Sequence, residues 1–183
     1  YQASCETPVP AMAQLMAWLP QHIPADADGS THTCITHGDY RMENLMFHPE
    51  RPEVVAVLDW ELCTLGHPLS DLSYSALAWH MPAGILRGYG DQDLTMLGLP
   101  AEHDYVARYA ARMGADPAVV LQDWPFYLAF NLFRLSAILQ GIGHRAREGT
   151  ASSDSAKEIA AMAEPVAQWG WAIAQGQTPQ WGV

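Results

Sequence analysis

One short stretch of the sequence holds most of the side chains that could do chemistry. The segment THGDYRMENLMF, residues 36–47, places Asp39 shortly before Asn44, which is one of only two Asn residues in the chain. Further along, the apolar run VVAVL is followed directly by Asp59. Carboxylate and amide oxygens suit a hard cation such as Mg²⁺, and a carboxylate left over can accept a proton or orient a hydroxyl. These residue types predict a metal-bound polyphosphate beside a nucleophile.

Two predicted strands would bring these side chains together. Val54–Leu58 is apolar and β-branched, and Leu45–Phe47 precedes it across a short turn. Strands joined in this way pair antiparallel, so the start of the first lies beside the end of the second. Asn44 and Asp59 are therefore expected to meet at one end of a hairpin, and Asp39 lies in the loop that enters the same end.

Most of the remaining chain is expected to be helical. A short strand is predicted over Thr33–Thr36, and residues 64–71, TLGHPLSD, are expected to form a loop. The predicted helices, bounded by Gly, Pro and polar stretches, cover residues 8–19, 70–79, 101–113, 117–122, 124–146 and 155–175. One helix, a small strand cluster and then more helices predict a single α+β domain over residues 1–183 that is mainly helical.

Composition and charge narrow the class of protein. The chain has 183 residues, of which 49% are hydrophobic and 16% charged, as in a globular domain. A net charge of −11 argues against a nucleic-acid partner, and no uninterrupted apolar run reaches the roughly 18 residues that would indicate a membrane span. Three cysteines without a CxxC motif favour a cytoplasmic location. Without an initiator Met or a signal sequence, the N-terminus is expected to be a cut through a longer chain.

Three segments, in order, resemble a known family. HGDYRMEN (37–44) is similar to the catalytic loop of the aminoglycoside phosphotransferase and choline kinase group, which is related to the protein kinases. LDWE (58–61) resembles the metal-binding segment of that group, and GHPLSDLSY (66–74) resembles the segment that follows it. The combination is most similar to the subgroup associated with acyl-CoA dehydrogenases. The implied fold is the C-terminal lobe of a protein-kinase-like fold. Its implied parts are a catalytic loop at 36–47, a metal-binding segment at 54–61 and a helical body at 70–176.

The resemblance also implies roles for the matching residues. Asp39 would accept or orient the proton of the substrate hydroxyl, and Asn44 and Asp59 would hold a Mg²⁺ ion that bridges the phosphates of ATP. His37 would support the backbone of the catalytic loop. Asp71 would hold the same loop in place. The alternative is that Asp71 only caps its own helix, as acids in the first turn of a helix often do.

Further side chains are candidates for substrate or phosphate contacts. Arg41 and Glu61 match the subgroup pattern, with an ordinary surface charge or salt bridge as the alternative for each. Because helices of this lobe wall the acceptor pocket in the family, the resemblance also makes Trp124, Tyr127 and Asn131 candidates. The apolar positions around them go nearly all round the helix, so core packing is the alternative.

The sequence departs from the family pattern in two places. His67 stands where the family usually has an acid, and the role of that position is left open. The single lysine, Lys157, lies far downstream, and no strand, glycine-rich loop and second strand precede Asp39. The glycine-rich stretch at 84–90 follows the site and is not a phosphate loop. We therefore expect the N-terminal ATP lobe to be absent here, this part to be inactive alone, and its uncovered interface to allow self-association.

The expected activity is ATP- and Mg²⁺-dependent phosphorylation of a hydroxyl on a small molecule. A hydroxyacyl compound or other metabolite alcohol, and an aminoglycoside or choline-like cation, both stay open as acceptors. From another class, the alternative is a pseudokinase or a non-catalytic binding module, against which the presence of Asp39, Asn44 and Asp59 counts. Turn chemistry could explain each of these three singly. A zinc site involving His32 and His67 matches no strong zinc spacing.

Overall fold

The protein is described by a computed structural model over residues 8–27, 33–83, 86, 88–148 and 156–178. Its strands are β1 (Cys34–Thr36), β2 (Leu45–Phe47), β3 (Val54–Val57) and β4 (Thr64–Gly66). Its helices are α1 (Pro10–Trp18), α2 (Leu69–Ala76), α3 (Glu102–Arg112), α4 (Pro117–Arg147), α5 (Ala156–Ala161) and α6 (Ala163–Ala174). Short 3₁₀ turns lie at Leu19–Gln21, Met42–Asn44, Trp60–Leu62 and Leu77–His80. The predicted class, α+β and mainly helical with a small antiparallel region, is confirmed.

The predicted hairpin is present. Strands β2 and β3 pair antiparallel, with Leu45 opposite Val57 and an irregularity after Met46. The pairing continues past β3, because the Leu58 N–H donates to the Asn44 carbonyl at 2.8 Å. The end of β3 therefore lies beside the start of β2.

The prediction that residues 64–71 form a loop was wrong at both ends, because the first three residues form β4 and the last three begin α2. Strand β4 pairs antiparallel with β1, with Thr36 opposite Thr64, and the Thr36 hydroxyl donates to the Thr64 carbonyl at 3.1 Å. A three-residue strand shows too little alternation to be identified in a sequence. Its hydrogen-bonding partner is distant along the chain, so no local hairpin pattern marks it.

Helix α4 is the centre of the helical body and packs against α1, α2, α3, α5 and α6. It is one helix where two had been predicted, 117–122 and 124–146, and Pro125 lies inside it. An internal proline costs about 3 kcal/mol because it removes a backbone donor and crowds the preceding turn. The buried side chains of Trp124 and Leu128 flank the proline, and their packing offsets that cost.

Within the described residues, α4 is also the one helix long and apolar enough to cross a membrane by length and composition. Of its most apolar window, 44% is buried inside the protein. Because neighbouring helices cover it on several sides, we interpret α4 as a core helix.

The other helices begin and end close to their predicted bounds, except that the predicted helix 155–175 is divided at Met162 into α5 and α6. The main core joins α2, α3, α4 and α6, and a smaller cluster joins α1 to α6. This packing fixes α2 against α4, and these two helices carry the side chains that support the loop between β1 and β2.

Candidate active site

The loop between β1 and β2 is held by the first turn of α2. The Asp71 carboxylate accepts hydrogen bonds from the backbone N–H groups of His37, at 2.5 Å, and Gly38, at 2.9 Å. Both bonds are charge-assisted, which makes them stronger than neutral ones. Gly38 has a φ of 83°, and a Cβ at this position would lie 2.6 Å from the Leu62 carbonyl oxygen. The tight approach of the loop therefore depends on glycine here.

His37 is 2% exposed and links the loop to the end of β3. Its Nδ1 accepts a hydrogen bond from the Asp39 N–H at 3.2 Å, and its Nε2 lies 2.7 Å from the Leu58 carbonyl. Because Nδ1 accepts, the ring proton is on Nε2 and is donated to Leu58. The Trp60 ring lies against the imidazole, with centroids 4.7 Å apart. These contacts occupy both ring nitrogens and give His37 a structural position.

The Asp39 carboxylate lies at the centre of a small polar network. Its Oδ2 accepts a hydrogen bond from the Asn44 amide at 3.0 Å and lies 3.2 Å from Nε of Arg41. The same amide nitrogen donates to the Asp39 carbonyl at 2.9 Å. Since the nitrogen of Asn44 is directed at Asp39, its amide oxygen is the atom left for a cation. Arg41, predicted to contact phosphate or substrate, lies against Asp39.

Asp59 follows β3 and lies next to Asn44, through the bond between Leu58 and Asn44. Among the described residues it is the one non-glycine with a positive φ, 65°. Its side chain makes no capping bond to the 3₁₀ turn that follows, and the residue is exposed. Glu61 is exposed in that same turn. The carboxylate of Asp59 is therefore not engaged in holding the local backbone.

Asn44 and Asp59 provide two oxygen ligands of the kind that magnesium binds. In the described part of the chain, no group of three or more His, Cys, Asp and Glu side chains could hold a metal ion. Mg²⁺, however, usually takes only one or two protein oxygens and completes its shell with water and phosphate oxygens. One carboxylate and one amide oxygen at the end of the hairpin fit that requirement.

Two residues of the site were not found from the sequence. The pKa of Tyr74, on α2, is raised to about 12 by burial first and then by the negative charge of Asp39. Arg134, on α4, donates to the Gly38 carbonyl, and its guanidinium lies 4.9 Å from the centre of the Tyr74 ring. The sequence does mark Arg134, because it is the single charged residue in the apolar stretch between Asp123 and Arg145.

Asn131 lies in the core between α2 and α4. It is 0% exposed and donates to the Ser70 carbonyl at 2.9 Å and to the Ser73 hydroxyl at 2.7 Å. Its amide oxygen accepts from Arg134 at 3.4 Å. Asn131 therefore fixes α2 to α4, and a direct substrate contact by this residue stays a prediction.

Trp124 and Tyr127, the other two predicted substrate contacts, are also buried. The Trp124 indole N–H donates to Glu102 at 2.9 Å. Tyr127 stacks on His67, with ring centroids 5.4 Å apart. His67, the departure from the family pattern, accepts a hydrogen bond at Nδ1 from the Leu69 N–H at 3.3 Å. Packing accounts for the positions of all these residues, and the predicted substrate contacts stay untested.

Comparisons with known proteins identify the family of this chain. A model of the phosphotransferase enzyme family, APH, matches residues 1–130. Acyl-CoA dehydrogenase family member 10 from Mus musculus is 45% identical over 176 residues, which are 95% of this chain and 16% of that protein. Acyl-CoA dehydrogenase family member 11 from Homo sapiens is 35% identical over 170 residues, 93% of this chain and 21% of that protein. This chain thus spans about a fifth or less of these relatives.

A solved structure shows the same fold. The crystal structure of a Ralstonia eutropha protein assigned to the aminoglycoside phosphotransferases has a TM-score of 0.87 and 46% sequence identity. The similarity covers 96% of this chain and 52% of that one. The predicted resemblance, including the acyl-CoA dehydrogenase subgroup, is confirmed. By its fold and by a family model that covers most of its length, the chain belongs to the phosphotransferase enzyme family and has a kinase-like fold.

Proposed function

We propose that this chain carries the catalytic loop and the metal ligands of a small-molecule kinase, which transfers a phosphoryl group from ATP to a hydroxyl in the presence of Mg²⁺. The observation that carries the proposal is the pairing of two different carboxylates at one end of a hairpin. Asp39 is surrounded by hydrogen-bond donors, whereas Asp59 is exposed and makes no capping bond.

The two carboxylates suit different tasks. Asp39, oriented by Asn44 and Arg41, would align the acceptor hydroxyl and receive its proton as the new bond to phosphorus forms. The amide oxygen of Asn44 and the carboxylate of Asp59 would hold the metal. When bound, Mg²⁺ supplies positive charge against the phosphate oxygens. Tyr74 and Arg134 would keep Asp39 and the loop backbone in place while the substrate changes.

We also infer that a second lobe of a longer parent chain supplies most of the ATP contacts. The strand region exposes several large apolar side chains, of which Ile35 and Leu65 lie opposite each other in the β1–β4 pair, and we infer that they face the second lobe. The most exposed of them are Ile35 (68%), Met42 (65%), Leu62 (56%) and Leu65 (71%). The structural neighbour is nearly twice as long as the part that matches, which leaves chain for such a lobe. In its absence, this chain is expected to be inactive and to self-associate.

For the acceptor, we favour a hydroxyacyl compound or a related metabolite alcohol. The support is the similarity to proteins named acyl-CoA dehydrogenase family members 10 and 11. An aminoglycoside-like acceptor is the second candidate, supported by the structural neighbour. A non-catalytic binding module is the alternative from another class, and binding of Mg-ATP with turnover would exclude it.

The experiment is a calorimetric titration of Mg-ATP into the longest parent chain that contains this segment. Asp59→Ala is expected to weaken metal-dependent nucleotide binding by about tenfold or more, because a charged ligand is lost. Asp39→Asn should leave binding intact and lower turnover by about a hundredfold or more, as expected for loss of a catalytic base. Asp104→Asn, an exposed acid on α3, is the control. Wild-type turnover in Asp39→Asn would refute the assigned base, and no Mg-ATP binding would favour the non-catalytic alternative.

A further inference from the structure

The peptide bond between Gly38 and Asp39 is held by side chains at both of its polar groups. The Gly38 carbonyl accepts a hydrogen bond from the guanidinium of Arg134. The Asp39 N–H donates to Nδ1 of His37 at 3.2 Å. Beyond this peptide, the carbonyl of Asp39 itself accepts from the Asn44 amide at 2.9 Å. Three backbone polar groups around the Asp39 side chain therefore have partners, and these bonds fix the direction in which that side chain leaves the backbone.

Of these three partners, Arg134 is the one that comes from the helical body. His37 and Asn44 belong to the loop between β1 and β2 and move with it. Arg134 lies on α4, the central helix of the body, and is 96 positions from Gly38. Its hydrogen bond ties the peptide to an element outside the loop. The direction of the Asp39 side chain therefore depends on where the guanidinium of Arg134 is held.

The guanidinium of Arg134 is itself held from two directions. Asn131 lies on the same face of α4, because residues three apart in a helix are neighbours, and its amide oxygen accepts from Arg134 at 3.4 Å. The ring centre of Tyr74, on α2, lies 4.9 Å from the guanidinium carbon, within the range of a cation–π contact. These two contacts keep the half-buried side chain of Arg134 directed at the Gly38 carbonyl.

Asn131 links the position of Arg134 to helix α2. It is 0% exposed, and its amide nitrogen donates to the Ser70 carbonyl at 2.9 Å and to the Ser73 hydroxyl at 2.7 Å. The same helix carries Asp71, which accepts from two N–H groups of the loop. Helices α2 and α4 therefore hold the loop together, one through its N–H groups and the other through a carbonyl.

The charge of Arg134 serves this contact and no ion pair. Its two hydrogen-bond acceptors in the described part of the chain are neutral oxygens. A half-buried cation costs free energy unless it is well hydrogen-bonded, so an apolar residue would suit this apolar stretch of α4 at least as well. Hydrogen bonds from a charged donor are stronger than neutral ones. Such a bond is suited to holding one peptide group in a single orientation.

We propose that Arg134 is a positioning residue for phosphoryl transfer and that Asn131 acts through it. Together they hold the peptide between Gly38 and Asp39 so that the Asp39 carboxylate meets the acceptor oxygen. The inference rests on the proposed function, because it takes Asp39 as the group that receives the proton of the acceptor. It gives Asn131 a task within the core instead of a direct contact with the substrate.

The effect of Arg134 on the reaction comes through geometry. In the transfer step, the acceptor oxygen forms a bond to the γ-phosphorus of ATP, the bond from that phosphorus to the β–γ bridging oxygen breaks, and ADP leaves. The proton of the acceptor passes to the Asp39 carboxylate. Arg134 contacts the backbone that carries this carboxylate. A misplacement of about 1 Å in a catalytic group can lower a rate by about a hundredfold.

The test compares Arg134→Met and Arg134→Lys with the wild type in the parent chain. Methionine keeps an unbranched side chain against Tyr74 and removes both hydrogen bonds. Turnover is measured as phosphate release from Mg-ATP with water as the acceptor, and binding of Mg-ATP is measured by calorimetry. Arg134→Met should lower turnover by about tenfold to a hundredfold and change the dissociation constant of Mg-ATP by less than about threefold. Arg134→Lys can still donate to the Gly38 carbonyl and should keep turnover within about fivefold of the wild type.

Hydrogen exchange gives a second measurement that does not need turnover. In the parent chain, a peptide that covers residues 36–47 should exchange about fivefold faster or more in Arg134→Met, because the loop has lost its tie to α4. Arg108→Met replaces an exposed arginine on α3 and should change neither this exchange nor turnover. Arg134→Gln is the second variant if Arg134→Met does not fold, and the same changes are expected in it.

The outcomes separate this inference from the proposed function. Wild-type turnover in Arg134→Met would overturn the inference, as would unchanged exchange of the loop or equal turnover in Arg134→Lys and Arg134→Met. Loss of Mg-ATP binding in step with turnover would also overturn it, since that is the result of a merely structural role. A fall in turnover after Asp39→Asn with none after Arg134→Met would overturn this inference alone. No turnover by the wild-type parent chain would refute the proposed function and this inference with it.

Discussion

Replacing Asp71 should destabilise the protein through the catalytic loop. Asp71→Ala removes the acceptor of two backbone bonds, from His37 at 2.5 Å and Gly38 at 2.9 Å. Hydrogen bonds to a charged group contribute about 1.5–3 kcal/mol each, so the pair sets an upper limit of roughly 3–6 kcal/mol. Asp71 and Gly38 are half-buried, so water can replace part of the loss. We expect the free energy of unfolding to fall by about 2–4 kcal/mol.

Urea denaturation of the wild type and two alanine variants measures this effect. Asp104→Ala is the matched control, because Asp104 and Asp71 both lie in the first turn of a helix, and the Asp104 side chain is 60% exposed. Loss of the interaction with the helix dipole is common to both variants and is worth about 0.3–1 kcal/mol. The remainder of the Asp71→Ala effect belongs to the loop.

The same comparison separates bracing of the loop from capping of α2. Asp71→Asn keeps one side-chain oxygen and should fall between the wild type and Asp71→Ala. If Asp71→Ala and Asp104→Ala differ by less than about 0.5 kcal/mol, the two bonds to the loop contribute little and the reasoning is refuted.

Three further predictions concern single side chains. Gly38→Ala should lower the free energy of unfolding by about 2 kcal/mol or more, because φ is 83° and the added Cβ would lie 2.6 Å from the Leu62 carbonyl oxygen. Gly98→Ala, with a φ of 67° and open space around it, should lower it by only about 1 kcal/mol. Thermal melts compare the two variants, and equal losses would contradict the steric argument. Folding raises the pKa of Tyr74 from 10.0 to about 12, so its contribution to stability is complete below pH 10 and lost as the pH rises toward 12. Between pH 10 and 12, the wild type should lose up to about 2 kcal/mol more of its free energy of unfolding than Tyr74→Phe does. Urea denaturation measures both losses, and equal losses would contradict this prediction. Asp59→Gly should be at least as stable as the wild type, because only glycine adopts a φ of 65° freely. Asp59→Ala should be about 1 kcal/mol less stable than Asp59→Gly. The same urea denaturation checks both variants, and an Asp59→Gly variant less stable than Asp59→Ala would contradict the prediction.

The arrangement of Asn44 and Asp59 could be predicted because it follows from local rules. Both residues flank strands joined by a short turn, and antiparallel pairing brings the outer ends of such strands together. The contacts of Arg134 and Tyr74 depend instead on how α4 and α2 are rotated against the loop. Arg134 is 96 positions from the Gly38 carbonyl that it contacts. No periodicity in the sequence defines that rotation, so these two residues were missed.

The errors in the fold have a similar origin. Strand β4 exists because β1 is available to pair with it, and nothing within its three residues indicates this. Pro125 normally ends a helix, but the buried neighbours Trp124 and Leu128 keep α4 continuous. In both places a contact with a distant part of the chain overrides a correct local preference.

The backbone of Asp59 gives an independent argument that its carboxylate has a task. A left-handed conformation costs an L-residue roughly 1–2 kcal/mol, and glycine would avoid that cost. The side chain does not offset it locally, because it makes no capping bond and the residue is exposed. Selection for stability alone would therefore not favour an acid here. A carboxylate held at this point, beside the buried Asn44, is what the proposed Mg²⁺ site requires, and a backbone strain of this kind motivates a functional hypothesis for Asp59.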